Sequence, residues 1–110
     1  MQYLVKGRAV QGVVPGSPEQ AVALMENMVI PSLKTLSDLN RQKKITGGPL
    51  AGQRALAFVI DSPSHEEVGK LLMSLPFWGL HEWKVLPLVP FESMSGAVGE
   101  LLNRMKAMSK

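Results

Sequence analysis

Few side chains in this 110-residue sequence can move a proton or hold an anion, and they are scattered along it. His65, His81 and Glu26 are the candidates for general acid–base chemistry, in which one group removes a carbon-bound proton and the same or a second group returns one. The oxygen that gains charge in such a step needs a cation or a donor, and Lys6, Arg8 and Arg54 can supply one. Trp83 follows His81 by two residues, so in an extended segment the two share a face and the indole could wall an apolar cavity around the imidazole. Other chemistries lack their residues. With no cysteine, thiol nucleophiles, disulfides and thiolate-bound zinc or iron–sulfur centres are excluded. No His, Asp and Glu cluster has metal-ligand spacing, and no Gly-x-Ser-x-Gly elbow occurs. Gly47, Gly48 and Gly52 do not lead a strand into a helix with the Gly-Lys-Ser/Thr ending of a phosphate loop. Neither a metal nor an organic cofactor is expected.

Each candidate also has a plainer reading. His65 falls in the first turn of a predicted helix, where the positive helix end favours the neutral, proton-accepting ring, or where it is only a surface residue. His81 either lines a cavity with Trp83 or merely opens a strand. Glu26 borders the apolar side of a long helix just before Pro31, so it either enters a pocket as acid or base or lies along the surface. Lys6 and Arg8 share one face of the first strand, where they grip an acidic substrate group or serve as solvated edge charges or intersubunit pairs. Arg54 faces the same choice.

The elements that must position these side chains follow from period and punctuation. Residues 3–10 alternate loosely and are followed by Gly12, Pro15 and Gly16, which predicts a strand ending in a turn. Ser17-Pro18-Glu19-Gln20 is a helix start with a capping side chain, a proline at the first helical position and a glutamine at capping-box spacing. The apolar stripe that follows predicts a helix to about residue 41. Pro31 interrupts it at a cost of about 3 kcal/mol, which predicts a kink or two successive helices. Ile45-Thr46 reads as a short strand and residues 47–52 as a turn or flexible loop, a possible lid over a pocket. Residues 53–60 form the strongest strand, with apolar side chains on both faces, so both faces need covering. Ser64 and Glu67 sit at capping-box spacing before a helix with the stripe Val68, Leu71, Leu72 and Leu75, which Pro76 and Gly79 stop. Residues 81–88 read as a fourth strand, with Trp83 and Val85 on one side and Leu86 and Leu88 on the other. A last helix over about residues 93–108 carries Met94, Val98, Leu101, Leu102, Met105 and Met108 in a stripe.

The order β-α-β-β-α-β is that of a ferredoxin-like α+β domain, a four-stranded antiparallel sheet with both helices on one face, here with an added C-terminal helix. We expect one domain over residues 1–90 and a C-terminal helix over residues 91–110 that is intersubunit or packed on the domain. The doubly apolar third strand predicts that a second subunit, or the last helix, covers the open face, giving a homodimer or larger homo-oligomer packed as a dimeric α+β barrel.

Within that order, particular residues carry a resemblance. Asp61-Ser62-Pro63-Ser64-His65-Glu66, then Leu72-Met73-Ser74-Leu75-Pro76, then Val85-Leu86-Pro87-Leu88, together with Val5-Lys6 in the first strand, resemble the muconolactone isomerase family. The resemblance implies small ferredoxin-like subunits that associate through their sheets into dimers and larger rings. It also implies an enzyme that shifts a proton within an unsaturated lactone without metal or organic cofactor. Where that family places a Trp-Arg pair before the hairpin glycine, this chain has Ile45-Thr46-Gly47-Gly48, and Gln53 and Arg54 replace its histidine and tyrosine.

The expected function is therefore binding of a small organic ligand, acidic or a lactone, with isomerisation of it as the catalytic reading. On the isomerase reading Glu26, His65 or His81 exchanges the proton, Lys6, Arg8 or Arg54 holds the oxygen, and Trp83 lines the site. The alternatives are a non-catalytic ligand-binding or structural oligomer, or a cofactor-independent monooxygenase of the same fold. A nucleic-acid partner is not expected, because the net charge is only +3, aromatics are few and Leu56 stands where an RNA-recognition sheet needs a stacking ring. No apolar run approaches the roughly 18 residues of a membrane span, and the N-terminal residues lack a basic segment followed by an apolar core, so a cytoplasmic protein without membrane contact is expected.

Overall fold

In a computed structural model, which describes residues 1–10 and 15–109, four antiparallel strands form one sheet of order β2-β3-β1-β4. They are β1 (Gln2–Ala9), β2 (Ile45–Pro49), β3 (Ala55–Asp61) and β4 (His81–Leu88). Gly12, expected in the first turn, lies outside the described residues. Val5 stands between Phe58 on one neighbouring strand and Val85 on the other, and Tyr3 between Ile60 and Pro87. Alternation therefore puts Tyr3, Val5, Leu56 and Phe58 on one face, where they pack with Leu36, Val68, Leu72, Leu75 and Phe77. Leu36 comes from α2 (Ile30–Arg41), and Val68 and Leu72 from α3 (His65–Met73), so the two helices cover the same face. This is the ferredoxin-like α+β arrangement with an added helix, α4 (Phe91–Met108).

Local chemistry explains the helix starts. Ser17 Oγ accepts the Gln20 amide at 3.2 Å to begin α1 (Pro18–Leu24), and the Gln20 side chain takes the Gly16 amide at 2.7 Å. Ser64 Oγ does the same for Glu67 at 3.2 Å, and Glu67 pairs with Lys70 instead of closing the capping box. Around Pro31 the expected long helix is divided into α1 and α2, with Pro31 in the first turn of α2. A five-residue π-helical segment, Met25–Val29, joins α1 to α2, with the Ile30 amide donating to the Met25 carbonyl. Pro31 has no amide hydrogen for the turn before it, and the wider turn makes room for its ring.

Two expectations need correction. Residues 47–49 belong to β2 and not to a loop, and the turn is confined to residues 50–54. β2 is an edge strand, so the missing Pro49 amide costs no ladder bond. Gly47 is required there, because a Cβ would run into the Ala57 carbonyl and the Phe58 backbone. The first helix stripe is also less buried than its period suggests: Met25 and Leu33 are 51% and 42% exposed.

The other face of the sheet carries Leu4, Lys6 and Arg8 from β1, Ala57 and Val59 from β3, and Lys84, Leu86 and Leu88 from β4. Leu86 remains 45% exposed. The helix α4 does not cover this face, since it buries none of its residues. The longest dimension, 73 Å, and a radius of gyration of 19.5 Å, against about 13 Å for a compact chain of this size, reflect that projecting helix. Among the described residues no helix is long and apolar enough to cross a membrane.

Candidate functional site

Ala9, at the end of β1, is the hinge of the site. Its amide donates to the Arg54 carbonyl at 2.8 Å on one side, and its backbone stands opposite His81 on the other. Arg54 enters β3 and His81 opens β4, so the order β3-β1-β4 holds them on either side of one strand, about 10 Å apart by backbone spacing. Both line a cavity of about 380 Å³ beneath the π-helical segment. Leu24, Met25, Val29 and Leu33 form its helical wall, and Leu56, Phe77 and Leu80 its floor and flank. The lining is mostly apolar with few polar groups, and the size lies within the roughly 300–1,000 Å³ of small-molecule sites.

The imidazole of His81 is fixed from several sides. Its Nδ1 lies 3.2 Å from the Phe77 carbonyl, and a carbonyl only accepts, so Nδ1 carries the hydrogen and Nε2 is left free to take up a proton. Its ring lies 4.3 Å from that of Phe77 and 5.3 Å from that of Trp83. Trp83 is in turn set by its Nε1 donating to the Trp78 carbonyl at 3.0 Å and by its ring lying over Gly7, where any Cβ would meet it. The indole thus stands behind the imidazole and is not itself part of the cavity lining.

Leu33, Pro49 and Leu56 are shared with a second cavity of about 330 Å³, which runs along α2 and β2 and includes Ser37 and Asn40. Asn40 Oδ1 accepts the Gly47 amide at 3.3 Å. The two spaces are therefore neighbours, with Arg54 and His81 on the lining of the first and the uncharged Ser37 and Asn40 on that of the second.

Compared with known proteins, the chain matches no family model and no curated sequence. Among solved structures it superposes on a crystal structure of muconolactone isomerase with a TM-score of 0.63 and 26% sequence identity, over 82% of this chain and 90% of the other. The chain resembles muconolactone isomerase. The superposition extends over most of both chains, so the resemblance to muconolactone isomerase concerns the whole sheet and its helices and not one motif.

Against that framework, the residues singled out in the sequence separate into two groups. Arg54 and His81 come together at the cavity, with Trp83 behind the histidine. Glu26 lies in the π-helical segment between the cavity-lining Met25 and Val29 but is itself exposed and outside the lining. His65 is exposed at the start of α3 with its ring 5.6 Å from that of Tyr3, about 20 Å along β1 from Ala9. Lys6 and Arg8 are exposed on the open face of the sheet, away from both cavities. Among the described residues no three His, Asp or Glu side chains gather as a metal site.

Reading the sequence alone missed Met25, Phe77, Leu80 and Asn40 as lining residues. The signal for Phe77 was present in Leu75-Pro76-Phe77-Trp78, aromatic residues directly after a helix stop and just before His81. For Asn40 there was none, because its role depends on β2 extending through Gly47.

Proposed function

We propose that this chain binds a small organic acid or lactone in the Arg54–His81 cavity and acts on it as a cofactor-free isomerase similar to muconolactone isomerase. In the proposed step His81 Nε2 removes a proton from the γ-carbon of an α,β-unsaturated lactone, and the electron pair passes through the conjugated double bond onto the carbonyl oxygen. The same nitrogen then returns the proton to the carbon beside the carbonyl while the carbonyl re-forms and the double bond stands between the β- and γ-carbons, so atoms and charge balance with one base. Arg54 holds the carboxylate or the developing enolate oxygen through its guanidinium fork.

The observation that carries this reading is the placement of a cation and a tautomer-fixed imidazole on one largely apolar cavity. Incubation with unsaturated lactones in deuterated buffer tests it: deuterium should enter the substrate, and no incorporation across a broad panel overturns the isomerase. A non-catalytic binding protein is the second reading, favoured by Glu26 and His65 standing away from the cavity, which leaves a single base. Ligand binding without exchange would decide for it. We further propose that a second copy covers the open face at Leu4, Val59 and Leu86, forming a homodimer in the cytoplasm.

A further inference from the structure

Beside the cavity of Arg54 and His81 lies the second one, about 330 Å³ in volume, among α2, β2 and β3. Leu33, Leu36, Ile45, Leu56 and Phe58 give it apolar walls, and among the described residues no charged side chain lines it. Its two polar side chains are already engaged. Asn40 Oδ1 accepts the Gly47 amide, and Ser37 Oγ accepts from Arg41 Nη2 at 3.5 Å. Every residue that the two linings share, Leu33, Pro49 and Leu56, is apolar. Leu33 is exposed, and side chains of that kind change rotamer within nanoseconds.

We propose that the second cavity is an apolar subsite of the first, and that the ligands are carboxylic acids or lactones carrying a straight alkyl chain. The chain passes Leu33 and Leu56 and lies against Leu36, Ile45 and Phe58. This proposal rests on the Arg54–His81 cavity being the ligand site. The length fits, since four residues of extended backbone from Arg54 to Phe58 span about 13 Å, the reach of an alkyl chain of about eight to ten carbons. A second acid group at the far end does not fit. It would exchange water for a lining that offers it no cation, whereas methylenes gain by leaving water. Contacts made this far from the reacting carbons also supply binding energy that can hold the head of the ligand against His81.

Titration calorimetry of the full chain with butanoate, hexanoate and octanoate reads the subsite, because each buried methylene should tighten binding about three- to four-fold. Octanedioate, equal in length but with a second carboxylate, should bind more weakly than octanoate. Ser37 is exposed and lines the second cavity alone, so Ser37→Phe should flatten the series until octanoate binds no more tightly than butanoate. Equal affinities along the series in the natural chain, octanedioate matching octanoate, or an unchanged series in Ser37→Phe each overturn the subsite. Butanoate binding that Arg54→Leu weakens would then leave the first cavity standing as the ligand site. Absence of binding by all of the acids overturns that reading, and this one with it. Alkyl chains also adhere to exposed apolar residues such as those of α4, so position is read separately. Octanoate with a terminal diazirine, photolysed on the chain and mapped by mass spectrometry, should label residues 33–49 or 56–58. Labelling confined to residues 91–108 overturns the proposal.

Discussion

Ser32 Oγ accepts the backbone amide of Phe77 at 3.0 Å while donating to the Met28 carbonyl at 2.6 Å, and the serine is fully buried. It joins the helical wall of the cavity to the segment that carries the histidine, because the Phe77 carbonyl takes the His81 Nδ1 hydrogen. Replacing Ser32 with alanine leaves a buried amide without a partner, and we expect a loss of about 1–3 kcal/mol in chemical denaturation. An unchanged midpoint would mean that water reaches the amide.

His81 is the only one of the three candidate acid–base groups on the cavity. His81→Gln should lower deuterium incorporation into a reactive lactone by about 100-fold or more, with the thermal transition little changed. His65→Gln should leave the rate where it was. The opposite pattern would move the chemistry to the Tyr3 end of the sheet.

Arg54 is exposed, and its contribution should appear in affinity before stability. A charge-assisted hydrogen bond of about 1.5–3 kcal/mol corresponds to about 10–100-fold weaker binding of an acidic ligand by Arg54→Leu. Arg54→Lys should restore part of that by keeping the charge without the planar fork. Titration calorimetry reads both, and a neutral ligand serves as the control.

Gly47 and Gly48 are adjacent in β2 but differ in their surroundings. A Cβ at Gly47 meets the backbone of Ala57 and Phe58, whereas one at Gly48 meets nothing within 4 Å. Gly47→Ala should destabilise the chain by about 1–3 kcal/mol as an overpacked site. Gly48→Ala should stay within about 0.5 kcal/mol, and urea unfolding of the two variants makes the comparison.

Much of the architecture was legible in local pattern. Ser17 and Ser64 announced two helix starts, Trp83 with Val85 and Leu86 with Leu88 separated the faces of the last strand, and the strand–helix order implied the ferredoxin-like sheet. Such features depend on neighbours within a few residues, which is the range over which a capping hydroxyl or an alternating side chain acts. The Gly-Gly-Pro run read as a loop because propensity disfavours it in strands. Only the edge position of β2 and the close Ala57–Phe58 backbone explain why it pairs.

By itself the sequence determined the element order, the residue types capable of proton transfer and the exclusion of thiol chemistry. Which of those residues meet was decided by tertiary structure. Arg54 and His81 converge because β1 lies between their strands and ends at Ala9, while Lys6 and Arg8 alternate onto the opposite face of that same strand. Periodicity states which side of an element is apolar. Which strand ends become neighbours depends on burying that apolar side against partners far away in the chain, and a local pattern carries no record of the pairing.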